Sequence, residues 1–168
     1  MKKYLPILLI AFFGLYVISC DNRDEVIQNP DSDTYSVVID VKNVNFQLTS
    51  SGYSISRTFA NTLYDSDVVL IYRQDGTTTG GSPVWQLIPR TLYLTGGNEL
   101  DYDFDFTKFD VKIYAGGTYD LATTPQYINN QTFRVVIIPA SFKTTVDLKD
   151  YDAVIKAYGI DDSNPSKL

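Results

Sequence analysis

The sequence predicts an all-β domain: an antiparallel, immunoglobulin-like β-sandwich of seven to eight strands with one short C-terminal helix. Three observations predict it. Between Tyr35 and Pro139 the apolar residues recur with period two or stand in short unbroken runs. Glycine-rich turns separate these segments. A helical period enters only near the end, from Leu148 to Tyr158. Many short strands punctuated by turns fit two stacked antiparallel sheets. A small barrel is the alternative.

The elements follow in order. Val37, Ile39 and Val41 alternate with Val38, Asp40 and Lys42, and Val44, Phe46 and Leu48 continue the pattern. Ser51-Gly52 turns the chain into Tyr53, Ile55, Arg57 and Phe59, so the two segments read as a hairpin. The run Val68–Tyr72 is wholly apolar, as a central strand covered on both faces would be. Residues 74–82 are a loop rich in Gly and Thr. Trp85–Leu94 reads as one strand whose Pro89 has no N–H for a ladder, which places it at a bulge or an edge. Leu100, Tyr102, Phe104 and Phe106 alternate with Asp101, Asp103 and Asp105 in the cleanest half-buried strand of the chain. Asp110–Ala115 is a further strand, ended by Gly116-Gly117. Residues 118–131 read as loop and allow a short strand at Tyr119–Leu121. Phe133–Ile138 closes the set before Pro139. Leu148, Tyr151, Val154, Ile155 and Tyr158 share one helical stripe, with Asp147 as N-cap and Gly159 at the left-handed C-terminal position. This predicts a helix over 148–158 covering one end or edge of the sandwich, and a frayed tail over 161–168.

Composition narrows function before any motif does. The 168 residues, 44% hydrophobic and 14% aromatic, suffice for one packed domain and are too apolar for a disordered chain. There is no His, which removes the commonest general base, the usual catalytic triads and most zinc and haem chemistry. One Cys allows no internal disulfide and no CxxC site. The net charge is −6, and the first nineteen residues hold two lysines and no acid, so a chain without them is more acidic still. Nucleic-acid phosphates would repel such a surface, and no nucleic-acid partner is expected.

Residues 1–19 have the layout of a signal peptide: Lys2 and Lys3, then an almost wholly apolar Leu5–Ile18 too short to span a bilayer comfortably. The segment Val17-Ile18-Ser19-Cys20 resembles a bacterial lipobox. In that chemistry the thiol of Cys20 is alkylated with diacylglycerol, and a peptidase that requires a small residue cuts between Ser19 and Cys20. The acyl chains bury about 0.8 kcal/mol per CH₂ in lipid, which makes a multi-chain anchor permanent. Membrane lipid is therefore the expected partner of Cys20. Asp21–Asp33 is polar and aperiodic, a tether able to reach about 45 Å. The expected organisation is a leader over 1–19, a lipidated Cys and tether over 20–33, and a sandwich over 34–160. Acidic residues soon after the Cys resemble the signal that exports lipoproteins of Bacteroidota to the cell surface, although Arg23 interrupts the run.

Blocks of the folded region are similar to a group of Bacteroidota lipoproteins to which no activity is attached. These are Asp67–Tyr72, Val84–Leu92, Leu100–Thr107, Thr118–Leu121, Gln131–Ala140 and Val146–Asp152. In that group the same blocks follow a lipobox. Some members carry a collagen-like Gly-Pro-rich segment after the Cys, which this chain lacks. The resemblance implies a fold and an outer-membrane address.

Candidate sites are few. Asp101, Asp103 and Asp105 open like a calcium loop, but Phe106 stands where that loop needs Gly and Lys112 where it needs Glu. Carboxylates two apart on a strand are roughly 6.5–7 Å apart, too wide for three to grip one ion unaided. They read as a solvated polar face with Lys or Arg on neighbouring strands, and calcium is the lesser alternative. Ser51, Ser54 and Ser56 lack a partner base, and no glycine pair opens a phosphate loop. Tyr53, Tyr64, Tyr72, Tyr93, Tyr102, Tyr114 and Tyr119 could form a glycan platform, or could simply pack in the sheets. Loops 74–82 and 118–131 are the natural places for binding. The sequence thus predicts no cofactor and a non-catalytic module that binds an envelope protein or an extracellular ligand. A structural subunit of an outer-membrane complex and a carboxylate-dependent glycoside hydrolase are the alternatives.

Overall fold

The computed structural model describes residues 36–139 and 145–168. Ser19, Cys20 and the expected leader and tether lie outside them. The described chain is an all-β sandwich of two five-stranded sheets with one short helix. The first sheet contains β1 (Val37–Val44), β4 (Val68–Thr77), β5 (Pro83–Ile88), β9 (Gln131–Ile138) and β10 (Ser166–Lys167), in the order β10-β1-β9-β4-β5. The second contains β2 (Gln47–Thr49), β3 (Gly52–Thr58), β6 (Arg90–Tyr93), β7 (Glu99–Phe106) and β8 (Asp110–Gly117), in the order β2-β3-β8-β7-β6. Every pairing is antiparallel except β1 with β10.

The two sheets differ in how they are covered, and the sequence explains why. Along β9 nearly every side chain is buried: Phe133, Val135 and Ile137 face the second sheet, while Val136 and Ile138 face outward. On the outer face Val136 and Ile138 join Val38, Leu70 and Tyr72. Burying one such side chain contributes about 1.5–3 kcal/mol. Leaving all five open to water would forfeit an amount comparable with the whole net stability of a domain, about 5–15 kcal/mol. Helix α1 (Tyr151–Ala157) covers them with Tyr151 and Val154. The expected position of the helix is thereby corrected: it lies on a sheet face, where the uncovered apolar residues are, and not at an end or edge. Among the described residues the second sheet carries no such layer, and its strands keep a simple alternation, with Leu100, Tyr102, Val111, Ile113 and Ala115 inward.

The described residues hold ten strand segments where seven or eight were expected, because two long expected strands each divide between the sheets and the tail adds β10. The first bulges at Asn43, whose φ of 54° lies in the left-handed region, and leaves the first sheet after Val44. The ladder to β9 shifts register between Val41 and Val44. The chain crosses with Phe46 buried between the sheets, its N–H donating to the Ile128 carbonyl (2.8 Å). Only Gln47–Thr49 then pairs with β3, so the expected hairpin of 37–48 with 53–59 shrinks to β2–β3. The second break is at Pro89, which has no N–H to continue a ladder. β5 ends in the first sheet at Ile88, and β6 begins in the second at Arg90. The Ile88-Pro89 peptide is cis.

The C-terminal segment departs from expectation in two further respects. The helix is shorter than 148–158, with Asp150 rather than Asp147 as its cap: Asp150 Oδ1 accepts from the Ala153 N–H (3.0 Å). Leu148 is kept out of the helix because its carbonyl accepts the Tyr72 hydroxyl (2.8 Å). Gly159, at φ 60°, does end the helical segment as predicted. The tail does not fray into solvent: Ser166 and Lys167 pair with Ile39 and Asp40, and the Leu168 N–H donates to the Asp40 carbonyl (3.2 Å). The 118–131 segment holds two 3₁₀ turns, Leu121–Thr123 and Pro125–Tyr127, in place of a strand at Tyr119–Leu121. Its Leu121 and Ile128 are buried in the core, so it plugs one end of the sandwich.

Close packing under that plug yields a test. A Cβ at Gly117 would lie 2.7 Å from the Glu99 carbonyl oxygen and 2.9 Å from Leu121 Cδ1. Gly117→Ala is expected to lower unfolding stability by about 1–3 kcal/mol, read from the urea midpoint. Gly80→Ala, whose Cβ would meet only Thr78 Oγ1 at 3.8 Å, is expected to stay within about 0.5 kcal/mol of wild type.

Candidate functional site

Three charged residues are buried in the described domain, Asp40, Arg73 and Arg134, and each is engaged inside the fold. Asp40 on β1 and Arg134 on β9 face one another in register on the outer face of the first sheet. Arg134 donates through Nε to Asp40 Oδ1 (2.7 Å) and through Nη2 to Asp40 Oδ2 (3.1 Å), a bidentate pair. Its Nη1 reaches the Tyr151 hydroxyl (2.7 Å) and Asp162 Oδ2 (3.1 Å), and Tyr151 itself donates to Asp162 Oδ2 (2.6 Å). The guanidinium also lies 4.6 Å from the ring centre of Trp85 and 5.6 Å from that of Tyr151. Lys42 adds a second cation, 2.8 Å from Asp40 Oδ2. Burial alone would push the Asp40 carboxyl up, but hydrogen bonds and charge from Arg134 and Lys42 hold it below the usual carboxylate range.

Arg73 lies on the opposite face of the same sheet, between the layers. Its Nε donates to Gln131 Oε1 (3.0 Å), its Nη1 to Asp75 Oδ1 (2.8 Å), and its guanidinium sits 4.8 Å from the Tyr102 ring centre. Gln131 Nε2 then donates to the carbonyls of Gln126 and Asn129 (2.8 Å each), which ties β4 to the 118–131 plug. The Tyr102 hydroxyl donates to the Tyr127 carbonyl (2.7 Å), and burial pushes its pKa up to about 12 despite the nearby Arg73.

The sequence-predicted aspartates all lie on the exposed face of β7. Asp105 faces Lys112 across the ladder and accepts the Tyr114 hydroxyl (2.8 Å), and Asp103 Oδ1 accepts the Phe104 N–H (2.7 Å). Asp101 folds its carboxylate over Gly116, where a Cβ would meet it at 2.8 Å. Among the described residues no three acidic or thiol groups converge as a metal-binding cluster. The tyrosines are dispersed. Tyr72 packs under the helix, Tyr102 between the sheets, Tyr114 beside Asp105, and Tyr64 and Tyr93 stand exposed.

Two open depressions flank the corner at Pro89, with volumes of about 370 and 260 Å³. Both are lined by Pro89, Arg90 and Thr91, so they adjoin across the strand switch and are together called the trough. Trp85, Tyr93 and Lys149 line one side, and Asp101 and Asp103 the other. A separate, mostly apolar cleft of about 230 Å³ lies beside the start of β1, lined by Val37, Phe59, Leu63, Ile137 and Leu168. The trough brings together Tyr93, Asp101 and Asp103, which the sequence had singled out in two unrelated patterns. Arg90 and Lys149 were not singled out, since neither belongs to a pattern and only the corner unites them. Asp40 and Arg134 could have been found from one signal: a charged residue inside an otherwise apolar strand, VVIDV and FRVVII.

Comparison with protein-family models, curated proteins and solved structures returns no match.

The buried pair carries a quantitative expectation. Arg134→Ala leaves the Asp40 charge buried beside Lys42 alone, and is expected to cost about 3–5 kcal/mol at pH 7 by urea unfolding. Because the folded Asp40 pKa is depressed, its contribution is complete above the unfolded value of about 3.9 and is lost as pH falls through the folded one. The stability gap between wild type and Asp40→Asn is therefore expected to narrow below about pH 4. A gap constant from pH 7 to pH 2 would contradict this assignment.

Proposed function

We propose that the protein is an envelope lipoprotein, anchored in the outer membrane through Cys20, whose sandwich is a non-catalytic binding or interaction module. The observation that carries the anchor is the place of the only Cys in the chain, directly after Val17-Ile18-Ser19 and an apolar leader-like segment. The resemblance to Bacteroidota lipoproteins and the polar stretch Asp21–Asp33 agree with it. Support for a binding role comes from the allocation of charge. The buried Asp40, Arg73 and Arg134 are committed to internal partners, which leaves recognition to surface groups. Fold alone does not assign function, and the reading rests on these residues.

The anchor is tested by metabolic labelling with an alkyne fatty acid in the native host. Wild type is expected to label and to sediment with membranes, and Cys20→Ala to do neither. Equal labelling of the two would contradict the reading. Proximity labelling from the anchored protein would then recover a discrete neighbour if the module serves as a complex subunit.

A further inference from the structure

We propose that the trough at the Pro89 corner is a binding site for an uncharged oligosaccharide. The inference rests on the reading of this domain as a binding module and names the ligand class of that module.

Shape is the first argument. The two depressions are open and adjoin at Pro89, Arg90 and Thr91, which suits a stretch of polymer lying across the surface better than a small molecule enclosed in a pocket.

Chemistry is the second. A sugar ring offers an apolar C–H face and a rim of adjacent hydroxyls. Tyr93 offers an aromatic surface for the first, 80% exposed and on the outward side of β6. Trp85 borders the same space and is held in place from within, by the Arg134 guanidinium at 4.6 Å and the Tyr151 ring at 5.7 Å. A ring fixed in this way loses little freedom on binding. For the hydroxyls, the lining offers the Asp101 and Asp103 carboxylates as acceptors and the Arg90 and Lys149 side chains as charged donors. Two cations against two anions give the trough no net charge, so a polyanion or a polycation gains no attraction from it.

Strand addition by a peptide is the rival, and the edges argue against it. β5 is bracketed by Pro83 and Pro89, and β6 is only four residues long. Prolines and short length are the devices that keep an edge from accepting a further strand.

The test uses the mature lipoprotein in detergent and biolayer interferometry against immobilised oligosaccharides derived from xylan, mannan, β-glucan and chitin. At least one is expected to bind, with little dependence on salt. Tyr93→Ala and Asp103→Asn are each expected to weaken that binding about fivefold or more while leaving the thermal midpoint unchanged. Tyr64→Ala, at an exposed tyrosine away from the trough, is expected to bind as wild type. Binding to none of the four, or binding that Tyr93→Ala leaves intact, overturns the proposal. If peptides or an envelope protein are bound instead and Tyr93→Ala abolishes that binding, the sugar assignment fails while the binding-module reading stands.

Discussion

The structure depends on a single guanidinium. Arg134 stands on β9, the middle strand of the first sheet, and joins four separate segments on that sheet's outer face. It grips Asp40 of the neighbouring strand, the Tyr151 hydroxyl of the helix and Asp162 of the tail, and stacks against Trp85 of the edge strand. Isolated surface ion pairs contribute little. Here both Asp40 and Arg134 are nearly solvent-free, 1% and 8% exposed, and every partner is supplied by the fold. Breaking such an arrangement is costly because the surviving charge stays buried, even where replacing the whole set by apolar groups would not be. Its structural consequence is positional: the helix and the tail have one place to go.

How legible the fold was follows from which sheet a strand belongs to. In the second sheet one face meets the core and the other meets water, so Leu100–Phe106 alternates; Leu100 and Tyr102 are buried as the pattern predicts, Phe104 is half-buried, and Phe106, at the strand's end, is exposed. In the first sheet the helix covers the outer face, so Val68–Tyr72 and Phe133–Ile138 lose their alternation; the unbroken run of Val68–Tyr72 signals burial on both sides, whereas Phe133–Ile138, interrupted by Arg134, reads only as a further strand. Periodicity cannot show a change of sheet. The crossings at Asn43–Phe46 and at Pro89 preserve the local strand pattern on either side, and the long segments therefore read as single strands. The tail was misread for a different reason. Asp161–Leu168 has little apolar content of its own, and its order comes from Asp162 and from the open edge of β1.

The trough shows the same division between pattern and assembly. Asp101 and Asp103 were visible as a ladder, and Tyr93 as one of many tyrosines. What could not be read was that β6 would bring Thr91 and Tyr93 opposite Asp101 and Glu99. Nor could the chain before the helix be seen to bring Lys149 to the far wall. The Arg134 cluster and the trough also share Trp85, which presents one side to the buried cation and another to the surface. The internal charge network thus sets the rigidity of the surface that is proposed to bind.

Hydrogen exchange followed by mass spectrometry on Arg134→Met tests the central claim most directly. If the guanidinium holds the helix and tail to the sheet, amides of Tyr151–Ala157 and Ser166–Leu168 lose protection in the variant, while those of β7 and β8 exchange as in wild type. Unchanged protection across the helix and tail, in a variant that remains folded, would contradict the account.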